Sequence, residues 1–257
     1  MHPSLQTINH RPWSLPEGEW RWRQSWLDLA FLHYRVSKKS LSKLLPPGMK
    51  LQEYDSTAWV GLVAFRMAGV MRRPFPDLPP FSSFPELNLR TYVIVDGKPG
   101  VWFFSLDAAS WPIVLGGRYL YGLPYFYAKM RHETDSDWFT FSSIRRIGGV
   151  SFKARFRPYG DSFHASPQTF EHWATERYCL YSYSPRNGIS RVEVHHAPWA
   201  LRKAEVDIED CGLLAAANIS PLAGAPVCHF SSGVHVVSFQ KELANDPVGL
   251  VPDAVPG

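Results

Sequence analysis

The sequence predicts a β-rich α+β domain with an antiparallel sheet, and three observations carry that prediction. Two stretches read as tight hairpins, with Asp96-Gly97 and Asn187-Gly188 supplying the positive φ values that two-residue turns require. Residues 150–159, VSFKARFRPY, alternate apolar and charged side chains with the period of a strand. The helical segments are short and do not alternate with strands as βαβ units would. A chain of 257 residues fits one such unit, because single β domains reach this length.

Residues 1–20 carry three prolines and one glycine and are expected to form an irregular arm. In VSKKSLSKLLPPG, Ser37 stands where it can cap a short helix with Leu41, Leu44 and Leu45 on its apolar face, and Pro46-Pro47-Gly48 ends it. TAWVGLVAFRM is a nearly continuous apolar run, the pattern of a buried strand. RRPFPDLPPFSSFPE is too long for a plain turn and reads as a lid or binding loop. LRTYVIV and KPGVWFFSLD flank the first hairpin turn. WFTFSSIRR and VSFKARFRPY add two strands, the second with Lys153, Arg155 and Arg157 on its wet face. QTFEHWATERY reads as a short helix leading into CLYSYS, the second hairpin turn and ISRVEVHH. DIEDCGLLAAANI reads as a further helix and GVHVVSFQ as the closing strand. The domain is expected to span 21–242, with about eight or nine strands, three short helices and a loose tail over 243–257.

Composition narrows the function. Aromatic residues make up 14 % of the chain, with ten Trp, which suits a β-rich body, a ligand pocket or an oligomer contact. The net charge is +4, but the basic residues are scattered as RWR, KK, MRR and IRR, so no nucleic-acid partner is expected. Cys179, Cys211 and Cys228 are odd in number and show no C-x-x-C spacing; this opposes a disulfide framework or structural zinc and fits a reducing cytoplasm. The amino terminus has no apolar leader and no window reaches the length of a membrane span, so a soluble cytoplasmic protein without a membrane partner is expected.

No P-loop, no G-x-G-x-x-G after a strand, no H-E-x-x-H and no G-x-S-x-G is present, which counts against the nucleotide, zincin and α/β-hydrolase readings. His195 and His196 are adjacent and point to opposite faces of a strand, while His229 and His235 would lie roughly 20 Å apart. Neither pair suits a shared metal ion, so no metal and no cofactor are expected.

FLHYRVSKKSLSKLLPPGMKL, TAWVGLVAFRM, FPELNLRTYV, GVWFFSLDA, YGLPYFYAKM, ERYCLYSYSP and HHAPWALR together resemble the YqjF-like family, domain of unknown function 2071, over nearly the whole chain. That family in turn resembles acetoacetate decarboxylase. The decarboxylase pattern of Gly-Arg-Glu-Leu, three further residues and Pro-Lys-Lys stands here as Gly117-Arg118-Tyr119-Leu120, Tyr121-Gly122-Leu123 and Pro124-Tyr125-Phe126. The YR and ALRKVVPEPL segments of the decarboxylase resemble Tyr34-Arg35 and SLSKLLPPGM. The resemblance implies a closed, cone-like β barrel with a few peripheral helices, a cavity inside it for a small-molecule ligand, and a tendency to homo-oligomerise.

The departure from the pattern matters as much. In the decarboxylase the first lysine after the proline forms an imine with the keto acid, and burial beside the second cation keeps it neutral and nucleophilic. Here those positions are Tyr125 and Phe126, and neither can form an imine. The decarboxylase's pocket glutamate falls on or near Gly61. The cavity therefore carries over and the Schiff-base chemistry does not. If the segment is a strand, Lys129 lies roughly 13 Å beyond Tyr125, where it is either a relocated amine or a lysine reaching the barrel rim.

Alternation in FPELNLRTYV sets Glu86, Asn88, Arg90 and Tyr92 on one face, which is either a wet cavity wall or a solvent-facing row. In the cavity reading, Arg90 holds a substrate carboxylate and Glu86 holds the arginine or moves a proton, with Tyr92 beside them. Arg118 anchors an anion or forms a structural ion pair. Tyr121 and Tyr125 donate phenolic protons to an oxyanion or pack as core aromatics, and Phe126 lines the wall. His196 and His229 are candidate general bases, and Trp102 and Trp199 are read as core. Two functions stay open: a cofactor-independent lyase, hydratase or isomerase acting on a small oxo acid, or a non-catalytic protein that binds an apolar ligand in the same cavity.

Overall fold

Both predicted hairpins form, but only the first has the expected two-residue turn; the second is closed by residues 185–187, with Gly188 and not Asn187 at positive φ. Asp96 and Gly97 adopt φ of 51° and 72° and join β4 (Phe84–Val95) to β5 (Lys98–Ala108). Gly188, at φ 72°, begins β10 (Gly188–His196) and pairs with Ser184 at the end of β9 (Cys179–Ser184). The computed structural model describes residues 2–78 and 81–244. The predicted tail from residue 245 onward, and Pro79 and Pro80 of the Pro-rich loop, lie outside the described residues.

The remaining strands are β1 (Trp22–Val36), β2 (Lys50–Leu51), β3 (Ala58–Arg72), β6 (Tyr125–Asp135), β7 (Trp138–Arg145), β8 (Ser151–His164), β11 (Ala200–Cys211), β12 (Val227–Ser238) and β13 (Glu242–Leu243). Four short helices accompany them: α1 (Lys38–Ser42), α2 (Trp111–Gly116), α3 (Phe170–Thr175) and α4 (Leu213–Ala216). The strands form one sheet in the order β13-β10-β9-β5-β6-β7-β8-β11-β12-β1-β3-β4-β2, and β4 also pairs with β5 and β10 with β12. The long strands therefore pair in closed circuits, an arrangement that leaves few exposed edges. One correction to the expectation is that β5 pairs in parallel with both β6 and β9.

The circuit β12-β1-β3-β4-β5-β9-β10 encloses one hydrophobic core, which includes Phe31, Val63 and Phe65. The neighbouring residues Leu32, Leu62 and Ala64 point the other way, into a second core with Phe141, Phe152 and Phe156 of β7 and β8. β1, β3 and β4 thus bury both faces, which is why TAWVGLVAFRM reads as an unbroken apolar run. Ser37 caps α1 as expected, accepting from the Ser40 amide. Lys153, Arg155 and Arg157 face solvent and pair with Glu209, Asp207 and Glu205.

Two local expectations are corrected. Residues 207–211 belong to β11, because Val206 and Ile208 pack against the second core while Asp207 and Glu209 pair outward; only α4 of that segment is helical. Residues 117–121 of the GRYLYGLPYFYAKM segment form one π-helical turn after α2, and left-handed Gly122 (φ 68°) ends it before β6 begins. The irregular arm is tied down: Arg11 is buried, paired with Glu193 at 2.7 Å and bonded to the Val194 carbonyl. Among the described residues no helix is long and apolar enough to cross a membrane.

Candidate functional site

The polar row of β4 faces inward. Glu86, Asn88 and Arg90 line a cavity of about 170 Å³ inside the first circuit of strands, so the row does not face solvent. The same alternation sends Leu87 and Leu89 into the second core. The rest of the wall is chiefly apolar and aromatic, with Trp26, Phe31, Phe65, Phe103 and Trp199. Trp199, read as core, is therefore also a cavity residue.

Glu86 and Tyr125 meet at this cavity. Glu86 is 2 % exposed, and the Tyr125 hydroxyl donates to its Oε2 at 3.2 Å. Burial pushes the Glu86 carboxyl up from 4.5 to about 7; hydrogen bonds from Asn88 and Tyr125 pull it down, and the charge of Asp107 raises it. Burial, reinforced by the Glu86 charge, holds the Tyr125 phenol well above its ordinary 10. Near neutral pH the pair thus joins a carboxyl that can take or give a proton to a phenol that remains a donor.

The segment before β6 sets the position of Tyr125. A Cβ at Gly117 would stand 2.3 Å from Cδ2 of the Tyr125 ring, so only glycine lets the ring lie there. Arg118 Nε donates to the Tyr125 carbonyl. The Gly-Arg of the motif thus has a local physical role: the glycine makes room for the ring and the arginine holds its backbone.

The other candidates divide by location. Arg90 lines the cavity and donates through Nη2 to the Ala174 carbonyl at 3.4 Å. Tyr92, two residues further along β4, does not line the cavity as expected: it is fully buried in the first core, with its hydroxyl against Arg90. Tyr121 lines the cavity and accepts a hydrogen bond from the Trp22 indole, and burial raises its phenol.

Arg118 lies instead beside a separate groove with Trp102 and Phe104. Phe126 packs on the Arg145 guanidinium at 3.9 Å, and Arg145 in turn pairs with buried Asp107 at 2.9 Å. Lys129 is exposed on β6: inward alternation breaks after Tyr125, and Ala128 is the next buried residue. His196 sits behind the wall, its Nδ1 against the Ala197 carbonyl at 2.8 Å and its ring against Trp199. His229 lies 3.4 Å from Glu171. Burial lowers both imidazoles. Lys129, His196 and His229 are therefore not brought together with Glu86 and Tyr125. Arg177 and His33, which the sequence reading did not single out, are buried near Arg90; no periodicity marks them, since one is in a loop after α3 and the other lies in an apolar strand. Among the described residues no cluster of three or more metal-binding side chains forms.

The family model DUF2071, described as an uncharacterized conserved protein, matches residues 23–235. The chain belongs to this family. It is 38 % identical over 219 residues to the uncharacterized protein YqjF of Bacillus subtilis (strain 168), covering 85 % of this chain and 90 % of that one. Among solved structures it is similar to acetoacetate decarboxylase from Legionella pneumophila, with a TM-score of 0.64, 14 % identity, and 93 % and 94 % of the two chains covered. It is also similar to the enduracididine biosynthesis enzyme MppR complexed with pyruvate, with a TM-score of 0.65, 14 % identity, and 96 % and 98 % covered. At these identities the likeness establishes an acetoacetate-decarboxylase-like fold. Within that fold, no lysine is among the residues lining the cavity of this DUF2071 member.

Proposed function

We propose that this protein is a cofactor-independent lyase, hydratase or isomerase that moves a proton on a small oxo acid held in the cavity. The observation that carries the reading is the Glu86–Tyr125 pair, a buried carboxyl raised to about 7 that faces the cavity beside a phenolic donor. As a carboxylate, Glu86 takes a proton from the carbon next to the ligand's carbonyl, and the Tyr125 hydroxyl donates to the enolate oxygen that develops. The apolar wall favours this charge transfer, because dipoles aimed at a developing charge act more strongly away from water. The similarity to a decarboxylase of a keto acid and to an enzyme bound to pyruvate supports the substrate class. The cytoplasm is the setting that three free cysteines support.

The test is proton exchange followed by NMR in D2O with a panel of oxo acids. The native protein should bring solvent deuterium into the carbon beside the carbonyl of at least one acid, and Glu86→Gln should slow this about a hundredfold. A second reading, a binding protein without chemistry, is favoured by the aromatic wall and by the missing lysines. Saturable binding with no exchange by any acid would establish that reading and end the first.

A further inference from the structure

Behind Arg90, the cationic residue of the cavity wall, a buried cluster holds positive charge that no neighbouring acid balances. His33 of β1 stands opposite Gly61 of β3, which stands opposite Arg90 of β4, and Tyr92 is the next inward residue. Arg177 follows α3, its guanidinium 5.1 Å from the Tyr92 ring centroid and 4.8 Å from that of Trp173. Arg177 is 6 % exposed, and its one hydrogen bond joins Nη1 to neutral Gln52 at 2.6 Å. Its Nε and Nη2 and the Nε of Arg90 are buried without a partner, whereas the Tyr92 hydroxyl lies against Arg90 and the His33 ring against the Val227 backbone.

Three unmet guanidinium donors on two neighbouring arginines are unusual, because a buried cation is strongly disfavoured unless an opposite charge and hydrogen bonds meet it. Burial brings Arg177 down to about 9, with Tyr92 pulling it up and Arg90 lowering it further, so it is still cationic at neutral pH. Burial, then Arg90, His229 and Arg177, hold His33 well below its ordinary 6.5, so its ring is neutral and offers one N–H. A Cβ at Gly61 would come within 3.0 Å of the Tyr92 hydroxyl and 3.3 Å of the His33 ring, so glycine keeps the space between these donors clear.

We infer that the Arg90 end of the cavity is an anion site in which Arg90, from the wall, and Arg177, from the cluster behind it, hold a carboxylate, or an inorganic oxyanion of similar size. The anion is either the acid end of the ligand in the cavity or a free ion. The first source rests on the proposed function and deepens it. Glu86 and Arg90 share the inward face of β4, roughly 13 Å apart along the strand, with aromatic side chains around the space between them. A ligand that spans both ends is a monocarboxylate with an apolar body and its reactive carbon near Glu86.

Phenylacetate and its neutral isostere phenylacetamide are the probes, with nitrate as the free anion, and binding to the full-length protein is read from tryptophan fluorescence and thermal stabilisation. Phenylacetate should bind about tenfold or more tightly than the amide, and Arg177→Gln and Arg90→Gln should each abolish that preference. Arg90 is partly exposed, so its variant serves as the test if Arg177→Gln does not fold. Nitrate that competes with phenylacetate would mean that the site also takes a free anion; nitrate without effect would mean that it reads the carboxylate of an apolar ligand. Glu86→Gln keeps both arginines and should keep the preference, so loss of proton exchange leaves this site standing. Equal binding of acid and amide, or a preference that survives loss of either arginine, would overturn the inference.

Discussion

Replacing Glu86 by Gln should make the protein more stable, and by an amount that grows with pH. The carboxyl is 2 % exposed, and burial lifts it from 4.5 to about 7, so ionising it in the folded protein costs about 3 kcal/mol more than in the unfolded chain. The sign follows from proton binding. A folded-state value above the unfolded one means that the native protein holds this proton more tightly; the resulting stability is fully present below 4.5 and is lost as pH rises through about 7. Gln has a similar shape, accepts the Tyr125 hydroxyl through its carbonyl oxygen and carries no charge, so it removes this dependence. Urea unfolding of both proteins from about pH 5 to about pH 8 should show the wild type losing about 2.5 kcal/mol relative to Glu86→Gln. His33, His196 and His229 are lowered and act with the opposite sign as pH falls, but they are present in both proteins and largely drop out of the difference. Asp107, Asn88 and Tyr125 face Glu86 and are likewise retained. A difference that is flat across this range, or that falls with pH, would mean that Glu86 titrates as an ordinary carboxyl, and the acid-base role would go with it.

Gly117→Ala should destabilise by about 1–3 kcal/mol in urea unfolding, because its Cβ meets the buried Tyr125 ring at 2.3 Å. It should also shift the NMR titration of Glu86 as the ring leaves its carboxyl. Arg145→Met strands the Asp107 carboxylate, which is fully buried, and should cost about 3–5 kcal/mol; adding Asp107→Asn should recover a large part, as a double-mutant cycle will measure. Lys129→Ala should change stability by less than about 0.5 kcal/mol, since the side chain is exposed. Borohydride treatment with oxo acids should give no mass adduct on the native protein; an adduct that disappears in Lys129→Ala would return imine chemistry to this chain.

The hairpins, the capped α1 and the polar alternation of β4, though not the side it faces, were legible because each is written in neighbouring residues: a turn pair, a capping serine, a period of two. The 207–219 segment misled because GLLAAAN favours helix, while the alternation of Val206 and Ile208 against Asp207 and Glu209 continues a strand already begun at Ala200. At the site, the row gave Glu86 and Arg90, and the resemblance gave Tyr125. It could not give Arg177 or His33, because their meeting depends on α3 folding over the end of a circuit of strands. Lys129 illustrates the converse: local spacing placed it on the face of Tyr125, but β6 leaves β5 after Ala108 and pairs with β7, and its inward positions shift.

A tyrosine rather than a lysine at position 125 has a consequence for its neighbour. A cationic amine beside Glu86 would favour the carboxylate and pull its titration down, leaving the acid ionised throughout the neutral range. A phenol offers one hydrogen bond, which lowers the carboxyl far less than burial raises it, so the same glutamate comes to titrate near neutrality. Phe126 acts in the same direction: it covers the Arg145–Asp107 pair and brings no second cation to the cavity. The cation that lines the cavity is Arg90, four residues along β4 from the acid, with buried Arg177 behind it. On the proposed reading, the site has two separated ends, Glu86 with Tyr125 where a proton moves and Arg90 where a negative charge rests, and a ligand fitted to it presents both.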